Sequence, residues 1–466
     1  MKTQNSNALF DIRVLVSITN YGSKNIKYLN RVIKEYQSMP CEIDIVVFSN
    51  VPKEFGQEIE VFVGLPTRDP WSLTFGHKKI FAERLEDYDL FIYSEDDMLI
   101  TWKNIEFFLH LTKVLPEDQV SGFIRFELDS NGKKSYPGFH NPYHWLPESV
   151  RKIDQFTFAE FSNLHTGCYV LTRDQLRRAV KSGRYLVEPH KGRYGQPESA
   201  ATDPFTQCGL KLVICISHIS NVLIHHLPNK YVEVWGINEI DFNRQISFIL
   251  SEEYGGKNHQ ELFVTAKNID RTKWDKMYFD EPDQNLLLMV SPQDKNFLSV
   301  GCGYPSTETV LVQSDYSVTV IPLDPIIGIL AASKGIKVME PNFEKAFQDL
   351  DSTLFDCIIF SHTLHHLKDP VEILSKIVKF LKPGGNILIS IPVSFFKRWS
   401  YSQNYLHSIK KNDLEKWLRS IGINQMDFQY FVKNKHLRKI MTTSKIFKVF
   451  FTNTLFARTL LIRAKK

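Results

Sequence analysis

Gly301 and Gly303 close the apolar run Phe297–Val300, and Asp324 closes a second one, Val318–Leu323. Leu298 and Val300 are strand formers, and the glycines permit positive φ and let a ligand approach bare backbone. A strand, a glycine turn, a helix and a second strand ending in an acid suit an adenosine-type ligand. Backbone amides around Gly301-Cys302-Gly303 meet one end of it, and a carboxylate takes the two ribose hydroxyls. The same residues without a ligand are an ordinary α/β turn.

A second constellation stands far upstream. Apolar Leu90–Tyr93 runs into Glu95-Asp96-Asp97, and the apolar character resumes at Met98. Side chains two apart on an extended chain face the same way, so Glu95 and Asp97 can converge on one cation. Hard carboxylate oxygens suit Mg²⁺ or Mn²⁺, and such an ion neutralises a diphosphate leaving group. The plainer alternative is a solvated acidic loop. Further on, Pro197–Asp203 opens a short helix carrying Glu198 and Asp203, and the apolar run Leu212–Ile224 ends in His225-His226, which offers an imidazole to the same metal.

The elements that position the first constellation follow in order. Phe355–Phe360 reads as a buried strand ending in a polar loop with His362, His365 and His366; Asp369-Pro370 opens a helix to Leu381; Lys382–Gly385 breaks it; Asn386–Pro392 is the next strand. The set of Gly301/Gly303, Asp324, Phe355-Asp356, His365-His366-Leu367 and Leu381–Gly385 resembles class I S-adenosylmethionine-dependent methyltransferases over residues 285–432. Two positions depart from that pattern. Ser299 stands where such families often carry an acid, and Pro305 where they carry a glycine. The resemblance implies S-adenosylmethionine as cofactor, with its methionine end at Gly301, Cys302 and Gly303, its ribose at Asp324 and its adenine bordered by Glu344. Methylation of a hydroxyl needs a base, and imidazole is the natural choice. His365 and His366 are the first candidates, with His362 and His407 beside them; the pair also suits plain packing under the cofactor.

Upstream, strands are expected at Asp11–Asn20, Cys41–Asn50, Ile59–Val63 and Tyr88–Tyr93. Between the first two, Ile26, Leu29, Val32, Ile33 and Tyr36 recur at helical spacing. Alternating strands and helices argue for a mainly parallel sheet with ligands at the strands' carboxyl ends. Together with Gly167 inside the strand-like Phe161–Thr172, this ordered set resembles GT-A-fold glycosyltransferases over residues 10–235. The resemblance implies a nucleoside-diphosphate-sugar donor and a metal held by Glu95, Asp97 and His226. Asp203 would take the acceptor's proton, with Glu198 as the fallback. Asp96, Asn20 and Asn50 would border the nucleotide, and His77 and Lys78 would approach the diphosphate. Caps, turns and a solvated helix face are the plainer readings of these residues.

Composition bounds the rest. The chain has 466 residues, 43% hydrophobic and 23% charged, enough for two ordinary cores. No apolar run reaches membrane-spanning length, and the first residues lack the apolar core of a signal peptide. The six cysteines are scattered without a CxxC pair, which suits buried thiols in a reducing cytoplasm. The net charge of +5 includes ten Lys and Arg between Lys433 and Lys466 with no Asp or Glu, leaving −5 on the rest, so no nucleic-acid surface is implied. Apolar Ile440, Phe447, Phe450, Leu455, Leu460, Leu461 and Ile462 interleave with those cations. That pattern suits a helix lying on an anionic membrane surface, or one docked on the preceding domain.

The expected architecture is therefore α/β: a GT-A-like domain at 8–250, a linker at 251–284 broken by Gly255-Gly256, a Rossmann-like methyltransferase domain at 285–432 and a basic amphipathic tail at 433–466. The expected activity is a bifunctional one in the assembly of a glycan, such as a bacterial surface polysaccharide. One site adds a sugar to a glycan or lipid-linked glycan acceptor, and the other methylates it, in the cytoplasm or at the inner face of the membrane. The alternative is a methyltransferase whose N-terminal half binds a glycan or nucleotide without turning it over.

Overall fold

The computed structural model describes residues 12–140, 143–251, 281–392, 409–431 and 459–466, with Leu262 and His407. The chain divides into two compact units, Met1–Ile246 and Ser247–Lys466.

In the first unit the strands that shape the site are β1 (Arg13–Asn20), β2 (Glu42–Ser49), β3 (Ile59–Val63), β4 (Leu90–Glu95), β5 (Met98–Leu99), β6 (Ile124–Leu128), β7 (Cys168–Thr172) and β8 (Leu223–His226). The main sheet has the order β7–β4–β1–β2–β3, with β1 to β4 parallel and β7 antiparallel beside β4. β1 is buried along nearly its whole length, as a strand covered on both faces must be. Helix α1 (Ile26–Gln37) turns Leu29, Val32, Ile33 and Tyr36 inward, the spacing read from the sequence. Register sets Asn20 opposite Ser49 and Thr19 opposite Glu95, so the carboxyl ends of β1, β2 and β4 share one edge.

The chain between Gln119 and Phe161 adds antiparallel structure that the alternating pattern did not suggest. One sheet orders Gln119–Ser121, Lys211–Cys215, Phe156–Phe161 and Trp145–Ile153. The other orders Ile237–Asn238, Lys134–Tyr136, β6, β8 and β5. In the latter, β8 pairs antiparallel with β5, His226 opposite Met98, which carries His226 to the acidic turn between β4 and β5.

The second unit is built on β9 (Asn296–Cys302), β10 (Ser317–Pro322), β11 (Lys337–Val338), β12 (Phe355–Ser361), β13 (Leu381–Pro392), β14 (Gln425–Phe431) and β15 (Thr459–Lys465). Their order is β11–β10–β9–β12–β13–β15–β14, the first five parallel and the last two antiparallel. Apolar clusters cover both faces. Asp369 caps the helix Pro370–Ile377 through Glu372 N at 2.9 Å, as its place before Pro370 suggested. Lys382–Gly385 does not end an element. β13 runs through it, with Gly384 at φ +77 and a register shift against β12.

The tail requires a correction. Its end is not a surface helix but β15, inserted between β13 and β14, with Leu460, Leu461 and Ile462 no more than 1% exposed. Alternation of apolar residues with Arg463 and Lys465 is a strand period there, and sheet pairing satisfies the backbone. The unit thus extends past 432, to Lys466. The apolar positions from Ile440 to Phe456, and most of the expected linker, lie outside the described residues. Among the described residues no helix is long and apolar enough to cross a membrane.

Candidate active sites

In the second unit the glycine turn is a bulge. Val300 pairs with Ile321 and Cys302 with Pro322, leaving Gly301 unmatched at φ +69, a conformation that suits glycine. Leu323 N returns to Cys302 O at 2.9 Å and Thr363 Oγ1 donates to Val300 O at 2.9 Å, so the turn is pinned from β10 and from the loop after β12. Helix α4 (Ser306–Gln313) follows it. Glu308, in the first turn of α4, is 5% exposed and accepts a 2.6 Å hydrogen bond from Ser299 Oγ. The strand position that lacks an acid thus faces one supplied by the helix. Nothing in the reading of the strand pointed to Glu308; its sequence signal was an acid at the start of the helix after the turn.

Asp324 is placed differently from the expectation. β10 ends at Pro322, and Asp324 is the N-cap of α5 (Pro325–Ala332), its Oδ1 accepting from Ile327 N at 2.8 Å, with 1% exposure. An Asp before a Pro is a strong capping signal, and the cap takes an oxygen the ribose reading had assigned. Glu344 is exposed at the start of Phe343–Leu350. Asp356 accepts from Lys295 N, Asn296 N and Lys382 Nζ, tying the start of β9 to β12 and β13.

His365 and His366 form a tight turn with Leu364, 2% and 8% exposed, their rings 4.1 Å apart. That is the packed arrangement rather than an open base. His362 is less buried and sits at φ +49, strained for a non-glycine residue, at the carboxyl end of β12. His407 holds Lys368 O at 3.2 Å through Nε2.

In the first unit the acidic turn is crowded. Asn20 Nδ2 donates to Asp96 Oδ2, and Asn25 Nδ2 to Asp96 Oδ1 at 2.9 Å and to Asp97 Oδ2 at 3.3 Å. His226 Nε2 stands 3.5 Å from Asp97 Oδ2, and its Nδ1 is 2.5 Å from Glu127 Oε1. Gly167, at φ +76, leaves room for Glu95, whose Oε2 would lie 3.3 Å from a Cβ at that position. Loss of water, then the neighbouring Asp97, pushes the Glu95 carboxyl up to about 8, and the same two causes push Asp96 up to about 6. Burial opposes charge on His226, but Asp97 and Glu127 outweigh it and its pKa is raised.

Three expected partners are thereby brought to one place: Glu95, Asp97 and His226. Among the described residues, these three included, no group of three or more His, Cys, Asp or Glu side chains is arranged so that it could hold a metal ion. Asp97 is held by Asn25 and His226. Positive charge near the acids comes from Arg125, Lys53 and Lys230. Arg125 and Glu127 were missed. Their signal was a pair of opposite charges two apart in the otherwise apolar β6.

Asp203 requires a second correction. Its side chain is 0% exposed and ion-paired with Lys78; Gln207 Nε2 donates to Oδ1 at 2.9 Å, and His190 Nε2 lies 3.1 Å from Oδ2. A carboxylate with both oxygens engaged in the core does not meet an acceptor hydroxyl. Lys78, whose pKa is lowered by burial despite Asp203, is equally withdrawn from a diphosphate. His77 is also buried, between Thr74 O and the Tyr169 hydroxyl at 2.7 Å each and stacked 4.0 Å from Tyr93. The helix face read as solvated points inward. Asn50 Oδ1 accepts from Gly22 N at 2.6 Å and shapes the turn after β1. Glu198, in the first turn of α-helical Gln196–Thr206, stays partly exposed.

Residues 274–442 match the family model described as a methyltransferase domain. The chain is 23% identical over 158 residues to ubiquinone biosynthesis O-methyltransferase of Coxiella burnetii, an alignment covering 30% of this chain and 67% of that protein. Among solved structures it is similar to an S-adenosylmethionine-dependent methyltransferase of Archaeoglobus fulgidus, at 19% identity and TM-score 0.32, covering 37% of this chain and 87% of the other. Another from Mesorhizobium loti stands at 14% identity and TM-score 0.29, covering 39% and 96%. The likeness is confined to the C-terminal part of the chain, where residues 274–442 match a methyltransferase domain.

Proposed function

We propose that the chain is a bifunctional enzyme of glycan assembly. Its C-terminal domain methylates a hydroxyl of a glycan, and its N-terminal unit transfers a sugar to that glycan from a nucleoside-diphosphate-sugar. S-adenosylmethionine, when bound, supplies an electrophilic methyl group. The protein's part is to open backbone at Gly301, to seat the cofactor's methionine end, and to hold a proton acceptor near the methyl. His362, at the end of β12 and less buried than His365 and His366, is the base this reading favours.

The observation that carries the N-terminal half of the proposal is the convergence of Glu95, Asp97, Arg125 and His226 at the carboxyl edge of β4, where ligands of such sheets bind. Arg125 suits a diphosphate. Its Nε is buried without a partner among the described residues. With Asp203 in the core, Glu198 is the carboxylate left to accept an acceptor proton. A second reading is favoured by that same burial of Asp203: the N-terminal unit binds a nucleotide-sugar or glycan without turning it over. Incubating the protein with labelled nucleotide-sugars, with and without Mn²⁺, and an acceptor glycan separates the two. Sugar appearing on the acceptor supports transfer, and nucleotide binding without transfer supports the second reading.

A further inference from the structure

Asn25 is the N-cap of α1 by its backbone: its carbonyl accepts from Tyr28 N at 2.9 Å and from Leu29 N at 3.0 Å. Its side chain makes no capping bond. The backbone, at φ −96 and ψ 10, lies outside the extended region in which an Asn oxygen meets the first free amides of a helix. The side chain crosses instead to the turn after β4, where Nδ2 donates to Asp96 Oδ1 at 2.9 Å and to Asp97 Oδ2 at 3.3 Å. A favourable cap is given up for two bonds to carboxylates that are 6% and 5% exposed. Strand register makes the crossing short. Thr19 pairs with Glu95, so the turn after β1 stands beside the turn after β4, and Asn20 donates to Asp96 Oδ2 from the same place. Asp96 thus has both oxygens held by amides, and Asp97 Oδ2 lies between Asn25 and His226 Nε2, 3.5 Å away. Adjacent carboxylates repel, and a neutral amide that donates to both offsets the repulsion and selects one arrangement of the pair.

We infer that Asn25 is a positioning residue of the N-terminal site: it holds Asp96 and Asp97 in the arrangement on which nucleotide binding depends. The inference rests on the reading of this unit as one that binds a nucleoside-diphosphate-sugar, with or without transfer. A purely structural role at the start of α1 would be served as well by a side chain that caps the helix.

The test is calorimetric titration of the full chain with UDP, GDP, CDP and ADP, each with and without Mn²⁺, beside denaturant unfolding of the same proteins. Asn25→Ala loses both bonds and is expected to weaken the bound nucleotide by about 10- to 30-fold, within the range of a charged hydrogen bond. Asn25→Ser supplies a capping side chain whose hydroxyl is too short to bridge the two acids. It is expected to unfold at higher denaturant than Asn25→Ala and still to bind nucleotide as weakly, within about twofold. Asn25→Asp keeps the shape and the capping ability but cannot donate. It sets a third carboxylate beside Asp96 and Asp97 and is expected to bind at least as weakly as Asn25→Ala, which it replaces should that variant fail to fold. Nucleotide affinity that returns with stability in Asn25→Ser, or that is unchanged in Asn25→Ala or Asn25→Asp, overturns the inference. An unaltered protein that binds none of these nucleotides in either condition overturns the nucleotide-binding reading itself, and the inference with it.

Discussion

His226 bridges two carboxylates: its Nε2 is 3.5 Å from Asp97 and its Nδ1 2.5 Å from Glu127. Glu127 is wholly buried, and its second oxygen accepts from Tyr231 N at 2.8 Å. The pairing of β8 with β5 delivers the imidazole to the acidic turn, and Glu127 on β6 orients it.

Glu127→Ala should therefore act on both stability and the site. Removing it strands a buried imidazole and a backbone amide, at a cost of about 2–4 kcal/mol. Denaturant unfolding of Glu127→Ala, His226→Ala and the double variant checks this. The double variant should lose less than the sum of the singles.

The Lys78–Asp203 pair is structural. Lys78→Ala and Asp203→Ala should each destabilise the N-terminal unit by about 3–5 kcal/mol, because each leaves an uncompensated buried charge. Lys78→Met with Asp203→Leu should recover most of that loss. An Asp203→Asn variant of full stability that had lost only turnover would return Asp203 to the role of base.

Glu95 makes stability depend on pH. In the fold its proton is held up to about 8, against an ordinary value of 4.5. The stability that goes with this bound proton is present below pH 4.5 and is lost as pH rises through about 8. Glu95→Gln should flatten thermal stability against pH between these values and raise it relative to the unaltered protein near pH 8. Parallel curves for the two proteins would contradict the assignment.

β15 belongs to the core of the second unit. Ile462→Asp buries a charge in the middle of a sheet and should cost more than 4 kcal/mol, enough to unfold that unit. A folded variant that had lost only binding to anionic vesicles would restore the surface-helix reading.

Much of the fold was legible in the sequence, because strand runs and helical spacing report burial directly. β1 to β4, α1, the glycine turn at Gly301 and the cap at Asp369 all stand where pattern and capping chemistry put them. The antiparallel strands from Gln119 to Phe161 and the insertion of β15 were not legible. They depend on pairing between distant segments, and a strand of Leu460, Ile462 and Ala464 beside cations reads locally like an amphipathic surface. The site was half legible. Acids at a strand end and a late His signalled their meeting, but whether a polar side chain faces solvent or core is decided by neighbours remote in sequence. His77, Lys78 and Asp203 went inward because Tyr169, Gln207 and each other satisfy them there. Glu308 went unnoticed because its partner, Ser299, is itself neutral.

The most direct measurement is calorimetric titration of the purified chain with S-adenosylhomocysteine and with a panel of nucleoside diphosphates, each with and without Mn²⁺. The expected result is binding of S-adenosylhomocysteine and of one nucleoside diphosphate, the latter lost in Asp97→Ala and Arg125→Ala. Binding of S-adenosylhomocysteine with no nucleotide in any condition would contradict the two-site enzyme and leave a methyltransferase with an accessory N-terminal unit.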